Sequence, residues 1–125
     1  MATVDLNETI TIAISVSDRH ASANWFATHL GFELVFHGDE IGWSELSTKT
    51  PGVVLGLGEQ TEPRPGNAIP VFGVGDLDAA RAALEDQGIV FDGATETIPG
   101  MVKLATFYDP DHNAFMLAQD LAATP

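Results

Sequence analysis

The 125-residue chain has no cysteine, 18 acidic residues against five basic ones and a formal net charge of −13. The length suits one domain able to bury about two thirds of its unfolded surface, and the missing thiols exclude disulfides and thiolate chemistry. So acidic a chain repels phosphate backbones and anionic bilayers, and only Arg19, Lys49, Arg64, Arg81 and Lys103 are available for anions, so the sequence argues against nucleic acid, membrane and phosphate-rich partners. No apolar run is long enough for a membrane helix, and "MATVDLNET" lacks the basic start and apolar stretch of a secretory signal, which points to the cytoplasm.

The segment "TITIAISV" at 9–16 alternates strictly, which predicts a half-buried strand with Ile10, Ile12, Ile14 and Val16 on one face and Thr11, Ala13 and Ser15 on the other. Asp18 is placed as a helix N-cap. Ser22, Trp25, Phe26 and Leu30 follow at helical spacing until Gly31 ends the helix, with Trp25 and Phe26 assigned to the core. Strands are expected at 32–37, 41–47 and 53–59, separated by the turn compositions "GDE" and "TKTPG". Module 1 is thus a βαβββ unit over about 9–59, followed by a Pro- and Gly-bearing connector at 60–67.

The pattern then begins again. In module 2, about 68–119, "IPVFGVGD" leads to Asp76, which stands 58 residues after Asp18 in the same strand-to-helix position. Leu77, Ala80 and Leu84 mark the apolar side of a second helix that Gly88 stops, and strands are expected near 89–92, 101–108 and 114–119 before a loose tail, "LAATP". The fold class is α+β: two βαβββ modules whose mixed, concave sheets are expected to enclose a cleft.

Three stretches carry a resemblance to a known family: "VSDRHASANWFATHLGF", "VGDLDAARAALEDQGI" and "FYDPDHNAFML". They resemble the vicinal oxygen chelate superfamily of glyoxalase I, the bleomycin- and fosfomycin-resistance proteins and the extradiol dioxygenases, over 9–119 of the chain. The resemblance implies the glyoxalase/bleomycin resistance/dihydroxybiphenyl dioxygenase fold, with the whole chain as one such domain. It also implies where a catalytic member would hold its divalent metal: a His or Gln on the first strand of a module and a carboxylate on the last. Those positions fall here on Thr11, Gly56, Ile69 and Met116, none a usual ligand of such a metal. His20, His29, His37 and His112 show no His-x-His or His-x-x-x-His spacing and read as surface or core residues. His112 replaces the Gly of the family's "DPDGN" turn, which implies a left-handed backbone, while Asp109, Asp111 and Asn113 read as turn formers.

The expected ligand-binding set is Thr11, Trp43, Glu45, Gly56, Ile69, Met101, Lys103 and Met116. Trp43 reads either as core or as an aromatic platform, the two methionines as filler or as an adaptable lining, and Lys103 as a solvated edge residue or a partner for a ligand carboxylate. The expectation is a protein without metal or cofactor that binds a small apolar or cationic molecule and forms a homodimer. The alternative is a cofactor-free enzyme using Glu45, His37 or Lys103, for which no spacing fixes a catalytic pair, and behind it a metal-dependent lyase or dioxygenase with displaced ligands.

Overall fold

A computed structural model describes Thr3 and residues 7–122. The chain divides into two compact units, Met1–Pro63 and Arg64–Pro125, with the boundary inside the expected connector. Among the described residues no helix is long and apolar enough to cross a membrane.

The first unit contains β1 (Ile10–Val16), α1 (Arg19–Leu30), β2 (Glu33–Gly38), β3 (Trp43–Ser47) and β4 (Val53–Glu59). Its sheet runs β1-β4-β3-β2, with β1 parallel to β4 and the other pairs antiparallel. Alternation decides which side chains meet α1: Val16, Leu46, Leu55 and Leu57 are buried together with Phe26 of the helix. Each such side chain, taken fully out of water, contributes about 1.5–3 kcal/mol. The isoleucine stripe of β1 keeps the expected phase, but its burial grows along the strand, from Ile10 at 63% exposed to Val16 at 0%. Trp25 is half-buried, so Phe26 rather than Trp25 is the aromatic anchor of this helix.

The second unit contains β5 (Val71–Gly73), α2 (Leu77–Asp86), β6 (Glu96–Ile98), β7 (Val102–Tyr108) and β8 (Ala114–Asp120), in the order β5-β8-β7-β6. Leu77, Phe107, Phe115 and Leu117 form its core. The strand expected at 89–92 is not one. Ile89 and Phe91 are buried, and the Arg81 guanidinium lies 4.6 Å from the Phe91 ring centroid. Gly88 and Gly93, both at positive φ, bend the backbone on either side of this apolar plug and leave only one bridge, Phe91 to Phe107. The polar segment 96–98 supplies the edge strand instead. The expected tail lies largely outside the described residues, but its first residue is tied down: the Leu121 N–H donates to the Met101 carbonyl at 2.9 Å.

The two units repeat a detail finer than element order. Asp18 and Asp76 have extended backbones, and each accepts a hydrogen bond from the third helical residue, Ala21 or Ala79, at 3.1 Å. The first helical N–H in turn donates to a side chain at or next to the end of the last strand: Arg19 N to Glu59 Oε1 at 3.1 Å, and Leu77 N to Gln119 Oε1 at 2.8 Å. Two of the orphan donors that every helix start presents are thereby satisfied in both units, and each helix is pinned to its own sheet.

Candidate functional site

Register sorts the candidates of the first unit onto one face. Ala13 pairs with Gly56 and Gly56 with Glu45, while Trp43 pairs with Gly58 and Thr11 with Val54. Partners in register share a face, so Thr11, Trp43, Glu45 and Gly56 all lie on the side of the sheet away from α1. Ser44 and Leu46, the alternate residues of β3, are fully buried on the helix side.

The indole of Trp43 lies across Gly56. A Cβ built on Gly56 would run into Cζ2 and Cη2 of the ring and would also come within 3.2 Å of the Thr11 methyl carbon. Gly58 continues the bed, its Cβ position 3.6 Å from Cζ3 of the ring. Trp43 Nε1 donates to Glu45 Oε2 at 2.9 Å, which fixes the carboxylate beside the ring edge. Glu45 Oε1 makes no hydrogen bond among the described residues, so the face presents an aromatic surface, an anchored carboxylate and the small side chains of Thr11 and Ala13. That combination suits an apolar or cationic group.

In the second unit Met116 pairs with Val71 of β5 and with Thr106 of β7. The pair Val71–Met116 is the counterpart of Ala13–Gly56. Ile69 lies two residues ahead of β5, 42% exposed, and the intervening Pro70 carbonyl accepts from Met116 N at 2.9 Å. Two other candidates are not brought to this face. Lys103 has the opposite phase to Leu104 and Thr106, points to the helix side and makes a 2.8 Å ion pair with Asp78 of α2. The reading of Lys103 as a solvated edge residue or a partner for a ligand carboxylate is therefore corrected to a strand-to-helix tie. Met101 lies in the hairpin between β6 and β7, 61% exposed and five residues along the chain from Thr106, roughly 16 Å at strand rise, so it does not join Met116. His37 likewise faces the helix side, with Nδ1 2.7 Å from Ser44 Oγ. Glu45, His37 and Lys103 therefore form no acid–base pair within either unit.

A second polar constellation, on the helix side of the first unit, was invisible in the sequence. Arg19 is 4% exposed; its Nη1 donates to Ser44 Oγ at 2.8 Å and its Nη2 to Asp39 Oδ1 at 3.1 Å. Nε stands 3.1 Å from Glu59 Oε1 but its N–H is not aimed at that oxygen, so the contact is Coulombic rather than a hydrogen bond. His20 Nε2 donates to Asp39 Oδ1 at 2.8 Å, and this bond, followed by that from Arg19, holds the Asp39 carboxyl below the ordinary carboxylate range. The His20 and His37 rings stack at 3.8 Å. Nothing in the spacing of 20, 37 and 39 signals this, because a helix start and a hairpin end meet only in the fold.

The turn before β8 is built as expected. Asp109 accepts from Asp111 N, Asn113 N and Asn113 Nδ2 at 2.7–3.0 Å, and His112 adopts φ 67 with its ring stacked on Tyr108. Burial pushes the Asp109 carboxyl above its usual range despite these donors, which pull the other way.

Comparison with known proteins agrees with this architecture. No curated protein matches the sequence significantly. Among solved structures, a superfamily member from Sphaerobacter thermophilus matches with a TM-score of 0.76 at 23% identity, covering 92% of this chain and 98% of that one. An antibiotic-binding protein from a Streptomyces species matches at 0.75 and 23%, covering 96% and 99%. The fosfomycin resistance protein of Listeria monocytogenes matches at 0.74 and 16%, covering 99% and 94%. At these identities the likeness establishes the fold. The model of the Glyoxalase/Bleomycin resistance protein/Dioxygenase superfamily matches residues 10–117, and the chain belongs to that superfamily.

Proposed function

We propose that this protein is a small-molecule-binding member of its superfamily that uses no metal at the family's ligand positions and holds an apolar or cationic ligand against Trp43. The observation that carries this reading is the indole laid over Gly56 with Glu45 anchored at its edge. A divalent metal does not fit the inherited positions. Thr11 offers a hydroxyl, Ile69 an alkyl group and Met116 a thioether, and at Gly56 the ring occupies the space a carboxylate side chain would need. The antibiotic-binding and fosfomycin-resistance neighbours support a ligand-capturing role, as does the acidic surface toward a cation. The enzyme alternative has less support, because Glu45 stands without His37 or Lys103 on its face.

The proposal includes a homodimer. β2 is a sheet edge carrying Leu34, Val35 and Phe36, each more than 40% exposed, and a second copy would cover it. Light scattering at micromolar concentrations is expected to give twice the 13.3 kDa chain mass, and a monomer mass would refute this element.

Elemental analysis after dialysis against a chelator is expected to find far less than one equivalent of transition metal per chain. A retained equivalent that is lost on substituting Met116 or Thr11 would contradict the metal-free site. The binding test is a fluorescence titration with cationic, neutral and anionic aromatics. Cations are expected to bind best, and Trp43→Ala should weaken them about tenfold or more through lost burial and cation–π attraction of about 0.5–2 kcal/mol. Preference for anions, or affinities untouched by Trp43→Ala, would remove the site.

A further inference from the structure

We infer that His20, His37 and Asp39 form a second, exchangeable binding site for a divalent transition cation of the zinc type, on the helix side of the first unit. It lies on the opposite face of the sheet from Trp43 and Glu45, so it does not rest on the ligand-binding reading. One ligand atom from each of the three residues lies within 4.8 Å of the others. Two imidazoles and a carboxylate are a donor set suited to zinc, nickel or cobalt, and a tetrahedral shell at about 2.0–2.1 Å from the metal places its donors ~3.4 Å apart. The side chains of His20 and Asp39 are 55% and 64% exposed, and a bound cation would keep a position open for water.

The partner that orients the least mobile ligand is already in place. His37 Nδ1 lies 2.7 Å from Ser44 Oγ, and Ser44 is itself fully buried and held by Arg19 Nη1 at 2.8 Å. A ligating histidine characteristically donates its other ring N–H to an oxygen. With Nδ1–H donating to Ser44, Nε2 of His37 is the free lone pair. On Asp39, Oδ1 accepts the bonds from both His20 and Arg19, which leaves Oδ2 for a metal. The opposing charge is Arg19, and it does not depend on Asp39 alone: Glu59 Oε1 stands 3.1 Å from its Nε. The His20 and His37 rings stack at 3.8 Å, so the two imidazoles already stand side by side.

The test is calorimetric titration of chelator-treated full-length protein with zinc chloride, followed by long-range nitrogen–proton spectra of the imidazoles. The expected result is one equivalent bound, with the ring signals of His20 and His37 moving and those of His29 and His112 unmoved. His20→Ala removes an exposed ligand without disturbing the core and should weaken zinc at least about tenfold, while its thermal midpoint without zinc stays that of the parent. Asp39→Asn should weaken zinc in the same direction, and His29→Ala should not. No binding up to millimolar zinc, shifts confined to His29 or His112, or parental affinity in His20→Ala would each overturn the site. Loss of zinc binding in His20→Ala with ligand binding at Trp43 retained separates the two sites.

Discussion

One contact organises the first unit: the indole of Trp43 against the backbone of Gly56. It requires a residue without Cβ at the centre of β4, and it requires β3 to hold the phase that sends Trp43 and Glu45 to one side of the sheet. Protein interiors tolerate little overlap, so a ring in that position excludes any larger side chain at 56. The same contact sets the chemistry of the face. With Nε1 directed to Glu45, the ring is fixed in its plane, and the carboxylate is fixed with it. The position that the family resemblance assigns to a metal ligand therefore carries the floor beneath an aromatic ring.

The reverse side of β3 answers to a different constraint. Ser44, between Trp43 and Glu45, points into a polar layer made by Arg19, His37 and Asp39. A buried guanidinium is tolerable only when its charge and its donors are matched, and here two carboxylates, a hydroxyl and the Trp43 carbonyl, 3.5 Å from Nη1, share that task. The second unit solves the same position without polarity. Leu77 follows its N-cap as Arg19 follows Asp18, is fully buried, and packs in an apolar core. The repeat therefore preserves the helix start, down to the Glu59 and Gln119 hydrogen bonds, while the residue just inside it differs: an ionic network at Arg19 and hydrocarbon packing at Leu77.

Much of this was legible in the sequence. Strict alternation located β1, the Asp18 and Asp76 caps located both helix starts, and the 58-residue recurrence exposed the two units, because each of these features is set by local stereochemistry. Strand phase in the sequence set Thr11 opposite the isoleucine stripe, and the register then puts Thr11, Trp43, Glu45 and Gly56 on that one face. Lys103 and Met101 were placed wrongly with Met116. Lys103 has the wrong parity, and Met101 precedes the strand that was expected to contain it. The apolar run at 89–92 resembled a strand because hydrophobicity alone does not distinguish a strand from a plug under a helix, and the polar segment 96–98 gave no signal at all. The Arg19, His20, His37 and Asp39 group was not legible, because it is assembled by tertiary packing across residues far apart in the chain.

The central claim is that Trp43 and Gly56 are coupled by steric exclusion, and a double-mutant cycle measures this directly. Denaturant unfolding of the parent, Gly56→Ala, Trp43→Ala and the double variant gives the interaction energy free of each residue's other contacts. The account predicts that Gly56→Ala destabilises the parent by about 1–3 kcal/mol and has almost no effect once Trp43 is alanine. Equal effects of Gly56→Ala in both backgrounds would show that the ring does not occupy that space, and the explanation of the face would fail with it.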